Sequence, residues 1–114
     1  MTGTRPGRIT RRADYLKANA GRRAAMPGFL LLVLAREDGD PAMRIGITVS
    51  KKVDVRAVVR NRMKRRFREL ARAILPEHGI AGADHVLIGR ASGIERDWAH
   101  LQADLVKALG RVAR

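Results

Sequence analysis

Apolar and polar positions follow two different periods along this chain, and the changes of period mark its elements. From Met43 to Ser50 the period is two. Ile45, Ile47 and Val49 face one way and Gly46, Thr48 and Ser50 the other, which predicts a strand with unlike faces. Phe29 to Ala35 (FLLLVLA) is apolar throughout, as in a strand covered on both sides. The turn residues Glu37 to Pro41 lie between the two runs and predict a hairpin that pairs them. From Ala57 to Leu75 the period becomes helical: Val59, Met63, Phe67, Leu70 and Ile74 form one stripe, with Pro76 and Gly79 placed to end the helix.

Three further elements complete the reading. Thr10 to Ala20 (TRRADYLKANA) predicts a short helix capped by Thr10 and stopped by Gly21. Asp84 to Arg90 (DHVLIGR) predicts a strand. Ser92 and Glu95, in capping-box spacing, then introduce a final helix to Leu109 with the stripe Ile94, Trp98, Leu101, Leu105 and Leu109. The predicted order is α-β-β-α-β-α, a small α+β sandwich with helices on a mostly antiparallel sheet. No repeat or long linker divides the 114 residues, so they read as a single domain, with residues 1–9 as a mobile basic arm.

Charge changes this picture from a fold to a partner. Lys and Arg number 24 against 11 Asp and Glu, a net charge of +13. The excess is local: residues 1–72 hold 19 bases and 6 acids, while residues 73–114 hold five of each. A basic platform backed by a neutral packing segment points to a polyanion. The apolar run Gly28 to Ala35 imitates a leader peptide, but it is far short of the roughly 20 residues that span a bilayer and reads as a buried strand. With no cysteine, disulfides and thiolate metal sites are excluded.

The candidate chemistry is binding rather than catalysis. His78, His85 and His100 lack metal-ligand spacing and read as surface or half-buried residues. Ser50 and Ser92 have no base beside them, and Asp38 and Asp40 suit a turn better than a metal pair. The predicted helix instead gathers Arg60, Asn61, Arg62, Lys64, Arg65, Arg66 and Arg68, with Lys51 and Lys52 at the end of the strand before it and Arg56 in the link. Glu69 is its only acid, so the i,i+4 pairs that support a merely solvated helix are missing. Arginine forks suit phosphate oxygens. Asn61 fits either a ribose or base-edge contact or an incidental surface position, and Tyr15 either stacks a nucleotide or packs on the sheet.

The run SKKV at 50–53, followed by AVVRNRMKRRFREL at 57–70, resembles the protein subunit of bacterial ribonuclease P. RRADYLKA at 11–18 and GFLLLVL at 28–34 extend the likeness to the family's first helix and first strand. The resemblance implies an α+β sandwich like the second domain of ribosomal protein S5, with a left-handed β-α-β crossover. It implies a cytoplasmic subunit, needing no protein partner, that assists a catalytic RNA in cutting the 5′ leader from precursor tRNA with magnesium bound mainly by that RNA. On that pattern Lys51, Lys52, Arg56, Arg60, Asn61, Arg62, Lys64, Arg65, Arg66 and Arg68 would face RNA. Arg11, Arg12, Tyr15, Thr48 and Ser50 would border a leader cleft. Two features depart from the pattern: the link Val53 to Arg56 is one residue longer, and Asn19 or Ala20 and Leu32 stand where relatives often have aromatics. Two other readings use the same charge, a structural protein of ribosomal RNA and a peripheral membrane protein.

Overall fold

The computed structural model describes residues 6–113. The six predicted elements all form in the predicted order, as α1 (Arg12–Ala18), β3 (Phe29–Ala35), β4 (Arg44–Thr48), α2 (Ala57–His78), β5 (Ala83–Gly89) and α3 (Trp98–Val112). Two short strands join them, β1 (Gly7–Arg8) and β2 (Arg22–Ala25). The five strands run in the order β1-β4-β5-β3-β2.

That order overturns the predicted hairpin. β3 and β4 do not pair; β5 lies between them, antiparallel to β3 and parallel to β4, with Leu87 opposite both Leu31 and Ile47. The sheet is therefore mixed rather than mostly antiparallel. β4, α2 and β5 make a β-α-β unit whose strands are immediate neighbours. β5 is buried along almost its whole length, so the centre of the sheet is where its backbone and both its faces are covered. Asp84, at its start, fixes the insertion. Its carboxylate accepts from Arg36 Nη1 just beyond β3 (3.2 Å) and from Arg44 Nε and Nη2 on β4 (2.7 and 2.6 Å). Burial pushes this carboxyl up, but the two guanidiniums outweigh it and hold it below the ordinary range.

α2 and α3 cover one face of the sheet. Val59, Met63, Phe67, Leu70 and Ile74 of α2 are buried there, as are Leu101, Leu105 and Leu109 of α3. Phe67 meets Phe29 edge to face at 6.0 Å. Trp98 is only half-buried at the rim of this core. On the opposite face α1 covers a smaller cluster of Ile9, Ala18, Leu32 and Val86.

Element ends shift for local reasons. Residues 1–5 of the expected mobile arm lie outside the described residues, but Gly7–Arg8 pair with β4 and Ile9 is buried. Arg11, not Thr10, is the N-cap of α1. α2 runs past Pro76 to His78, because a proline in the last turn removes one bond while Gly79 N–H still reaches Leu75 O at 2.8 Å. Ser92 falls in a short 3-10 turn (Ala91–Gly93), so α3 starts later and is capped by Asp97, whose carboxylate accepts from His100 N–H at 3.4 Å. β2 escaped prediction because RRAA has no strand signal; as an edge strand it needs only Ala24 buried. Gly21 makes its approach possible, since a Cβ there would sit 2.2 Å from Val33 O.

His85 is a further correction, because its side chain is fully buried rather than at the surface or half-buried. Nδ1 lies 3.3 Å from Arg44 O and Nε2 accepts from Ile80 N–H at 3.1 Å, which fits a neutral ring protonated on Nδ1. Desolvation pushes its pKa down.

Candidate nucleic-acid interface

α2 separates its cations into two groups, and the sequence could not divide them. Its buried stripe fixes the rotation of the helix, so residues at intermediate angles reach back into the protein and those opposite reach out. Arg66 reaches back: its guanidinium donates to the carbonyls of Gly93 (3.4 Å), Ile94 (3.3 Å) and Arg96, and lies 5.9 Å from the Trp98 ring centroid. Arg60 donates to the carbonyls of Asp54 (3.0 Å) and Val55 (2.8 Å). Arg56 forks onto the Asp54 carboxylate at 3.0 and 2.7 Å. The side-chain bonds from Arg56, with its backbone N–H, hold the Asp54 carboxyl down at about 2. Of the expected RNA-facing residues, these three also brace the protein's own loops, Arg56 from an exposed position.

The remaining group points outward. Arg62, Arg65 and Asn61 on α2 are exposed, as are Lys51 and Lys52 in the turn after β4; Lys64 and Arg68 are half-buried along their stems. Among the described residues no ion pair or side-chain hydrogen bond engages these six cations. Val58, Asn61, Lys64, Arg65 and Arg68 line one shallow depression of about 530 Å³. The N-terminus of α2 adds to the field, because its N-cap Arg56 makes no side-chain cap bond and its first turn holds no acid. Exposed N–H groups and clustered cations at one helix end favour an anion.

Tyr15 and Thr48, two of the residues expected to border a leader cleft, lie on the opposite face of the sheet. The row Gly46, Val86, Leu32 lies in register across β4, β5 and β3 beneath α1. Tyr15 packs on it, and a Cβ at Gly46 would sit 2.5 Å from the Tyr15 ring, so glycine is required there. The Tyr15 hydroxyl donates to Ile9 O at 3.4 Å, which settles the ring as packed on the sheet with one edge half-exposed. The next row, Thr48, Ile88 and Leu30, emerges from under the helix half-buried and forms an apolar floor. Ser50 follows Thr48 and is exposed. Arg11 and Arg12 are exposed at the start of α1, and Arg11 lines a separate depression of about 600 Å³ at the other end of this face, with Asp14, Arg36, Arg44 and Asp84. Leu30 and Ile88 were missed by sequence reading, since their runs look apolar on both faces; only the shortness of α1 uncovers them. A pocket of about 90 Å³ at the outer edge of β4, lined by Tyr15, Ile47, Arg68 and Arg72, joins this side to the basic helix.

Among the described residues no group of three or more His, Asp or Glu side chains comes together to hold a metal ion, and His78 and His100 are exposed and far apart in sequence. Among the described residues no helix is long and apolar enough to cross a membrane. The apolar stripe of α2 is consumed by the core, which removes the face a peripheral membrane helix would insert.

Comparison with known proteins agrees with the geometry. A family model described as Ribonuclease P matches residues 4–113. The chain is 54% identical over 107 residues to the ribonuclease P protein component of Erythrobacter litoralis, covering 94% of this chain and 86% of that one. It is 48% identical to that of Gluconacetobacter diazotrophicus, covering 92% and 90%. The fold matches the RNase P protein of Staphylococcus aureus with a TM-score of 0.74 at 30% identity, covering 91% and 93%. It matches that of Thermotoga maritima with a TM-score of 0.73 at 28% identity, covering 92% and 96%. With the family model spanning nearly the whole chain and a relative above half identity, the protein belongs to the ribonuclease P protein component family.

Proposed function

We propose that the chain serves ribonuclease P, a ribonucleoprotein endoribonuclease of tRNA 5′ maturation, by binding RNA on two surfaces and performing no chemistry itself. The outward cations of α2 (Arg62, Lys64, Arg65 and Arg68) with Lys51 and Lys52 hold the RNA subunit, and Asn61 contacts a ribose or base edge between them. The sheet face beside α1, from Ser50 and the row Thr48, Ile88, Leu30 past Tyr15 to Arg11 and Arg12 at the start of that helix, receives the single-stranded leader of precursor tRNA. Arg56, Arg60 and Arg66 shape these surfaces from behind. The observation that carries this reading is a set of six outward cations without an internal partner among the described residues, beside three arginines that bond to the protein's own loops.

Such a set repels itself in isolation and is relieved by phosphate, whose counterions are released on binding. The protein then acts by neutralising repulsion between two polyanions, the RNA subunit and its substrate, and by holding the leader straight. Magnesium belongs to the RNA in this scheme, because the described side chains offer no cluster of hard oxygen ligands for it.

The test is cleavage of precursor tRNA by the cognate RNA subunit at low magnesium. The protein should restore accurate 5′ cleavage, and an R62A/K64A/R65A variant should not. Unaffected cleavage by a protein that still binds RNA tightly would overturn the reading and move the protein to ribosomal RNA.

A further inference from the structure

Two exposed valines do not fit a purely electrostatic face. Among the described residues only three large apolar side chains are well exposed: Leu16, Val55 at 80% and Val58 at 62%. Two of the three stand three residues apart, on either side of the α2 N-cap Arg56, within the most cationic stretch of the chain. Single exposed apolar residues are ordinary. A pair held outward by a dedicated network is not.

The network is specific to the link. The Asp54 carboxylate accepts from Arg56 N–H at 2.8 Å and from both arms of the Arg56 guanidinium, while Arg60 donates to the carbonyls of Asp54 and Val55. Two arginines and the nearest acid are thus used to stiffen the backbone that presents Val55. A mobile loop would fold Val55 back toward apolar cover; this one cannot. Val58 is fixed by the helix itself, and it lines the same depression as Asn61, Lys64, Arg65 and Arg68. The depression, about 530 Å³, therefore has an apolar wall, an amide and three cations.

We propose that Val55 and Val58 form an apolar knuckle that packs against an unstacked nucleobase of the RNA subunit, while the neighbouring cations hold the phosphates on either side of it. The inference rests on the proposed function and adds a contact of another kind. A base has two apolar faces and is always flanked by phosphates, so an apolar spot ringed by arginine matches it, whereas an apolar peptide would leave the cations unmatched. The RNA subunit is the source because the valines lie on the helix layer, and the Tyr15 row occupies the reverse face of the sheet. Preorganising the link removes ordering losses from the binding step.

The contact is separable from charge by its salt dependence. Each phosphate contact contributes to the slope of log affinity against log salt, and an apolar contact does not. Binding of the RNA subunit is measured at several salt concentrations for the parent, V55S/V58S and R62A/R65A, with thermal melts to confirm folding. V55S/V58S should bind roughly tenfold more weakly at every salt with the parent slope, about 1.4 kcal/mol. V55I/V58I should bind at least as tightly as the parent. R62A/R65A should flatten the slope. Parent-like affinity of V55S/V58S, with a flattened slope for R62A/R65A, would overturn the knuckle alone. An unchanged slope for R62A/R65A would overturn the reading beneath it. A loss seen only with precursor tRNA, or only in self-association by sedimentation, would assign the valines to a different partner and overturn the inference.

Discussion

Replacing Arg66 by alanine separates an arginine that braces the fold from the neighbouring arginines proposed to face RNA. The sequence places Arg66 with the RNA-facing cations, but its guanidinium is tied to three carbonyls of the connection between β5 and α3 and lies over Trp98. Two of these bonds are long, at 3.4 and 3.3 Å, and the side chain is only half-buried. Each long bond is then worth about 0.5 kcal/mol and the third about 1 kcal/mol, at the lower end for charged donors. The cation–π contact adds about 0.5–1 kcal/mol. The expected loss for Arg66→Ala is therefore about 2.5–3 kcal/mol, or a fall of roughly 10–15 °C in melting temperature for a chain of this size.

The assay reads stability and binding together. Trp98 is the only tryptophan, so its fluorescence reports unfolding at the site of the change. Under conditions where the variant stays folded, Arg66→Ala should keep the parent salt slope for RNA binding. Arg65→Ala should behave in the opposite way, with an unchanged melt and a slope reduced by roughly 0.7–0.9. Arg66→Lys should recover less than half the loss, because an ammonium cannot span three carbonyls as the planar fork does. A parent-like melt for Arg66→Ala, with a reduced salt slope, would refute the structural assignment.

Asp84→Asn should cost about 2–3 kcal/mol, less than for a fully dry pair because Arg44 is partly solvated, and should broaden or lower the urea transition; an unchanged midpoint would show that the Arg36–Asp84–Arg44 cluster does not dock β5. For His85 the sign follows from burial, which lowers the folded-state pKa below the ordinary 6.5. The unfolded chain then binds the proton first, so stability should fall as pH drops below that value, by up to about 1.4 kcal/mol per pH unit until the folded-state pKa is reached. Urea midpoints that stay flat through this window would show a freely titrating imidazole. Gly46→Ala should displace the Tyr15 ring, cost about 1–2 kcal/mol and weaken binding of a leader oligonucleotide; a parent-like melt and affinity would mean that the ring is not seated on the sheet.

The sequence by itself determined everything that depends on neighbours along the chain. The helical stripe from Val59 to Ile74 fixed α2 and its buried side, because a period near 3.6 admits only one apolar face. Alternation from Ile45 to Val49 fixed β4 in the same way. The surplus of cations, and the missing acids that would pair them within α2, singled out the helix proposed to bind RNA without any coordinates. The motif Ser50-Lys51-Lys52, followed by Arg60-Asn61-Arg62, then pointed to the family that the comparisons show.

Tertiary structure decided what depends on residues distant in sequence. Strand pairing was not legible: a turn between β3 and β4 looks like a hairpin, and only the Asp84 carboxylate, held by Arg36 and Arg44 together, reveals that β5 fits between them. The capping-box spacing of Ser92 and Glu95 was a local signal overruled by packing, since Gly93 is pressed to within a Cβ clash of Gly28 O. Burial of His85 followed from β5 becoming the central strand. The division of the α2 arginines was hidden for the same reason. Arg62 and Arg66 lie one turn apart with the same charge, and what separates them is whether carbonyls from a loop about thirty residues away come within reach. Charge can be counted along a chain, but whether a charge is already satisfied depends on folding that brings its partner close.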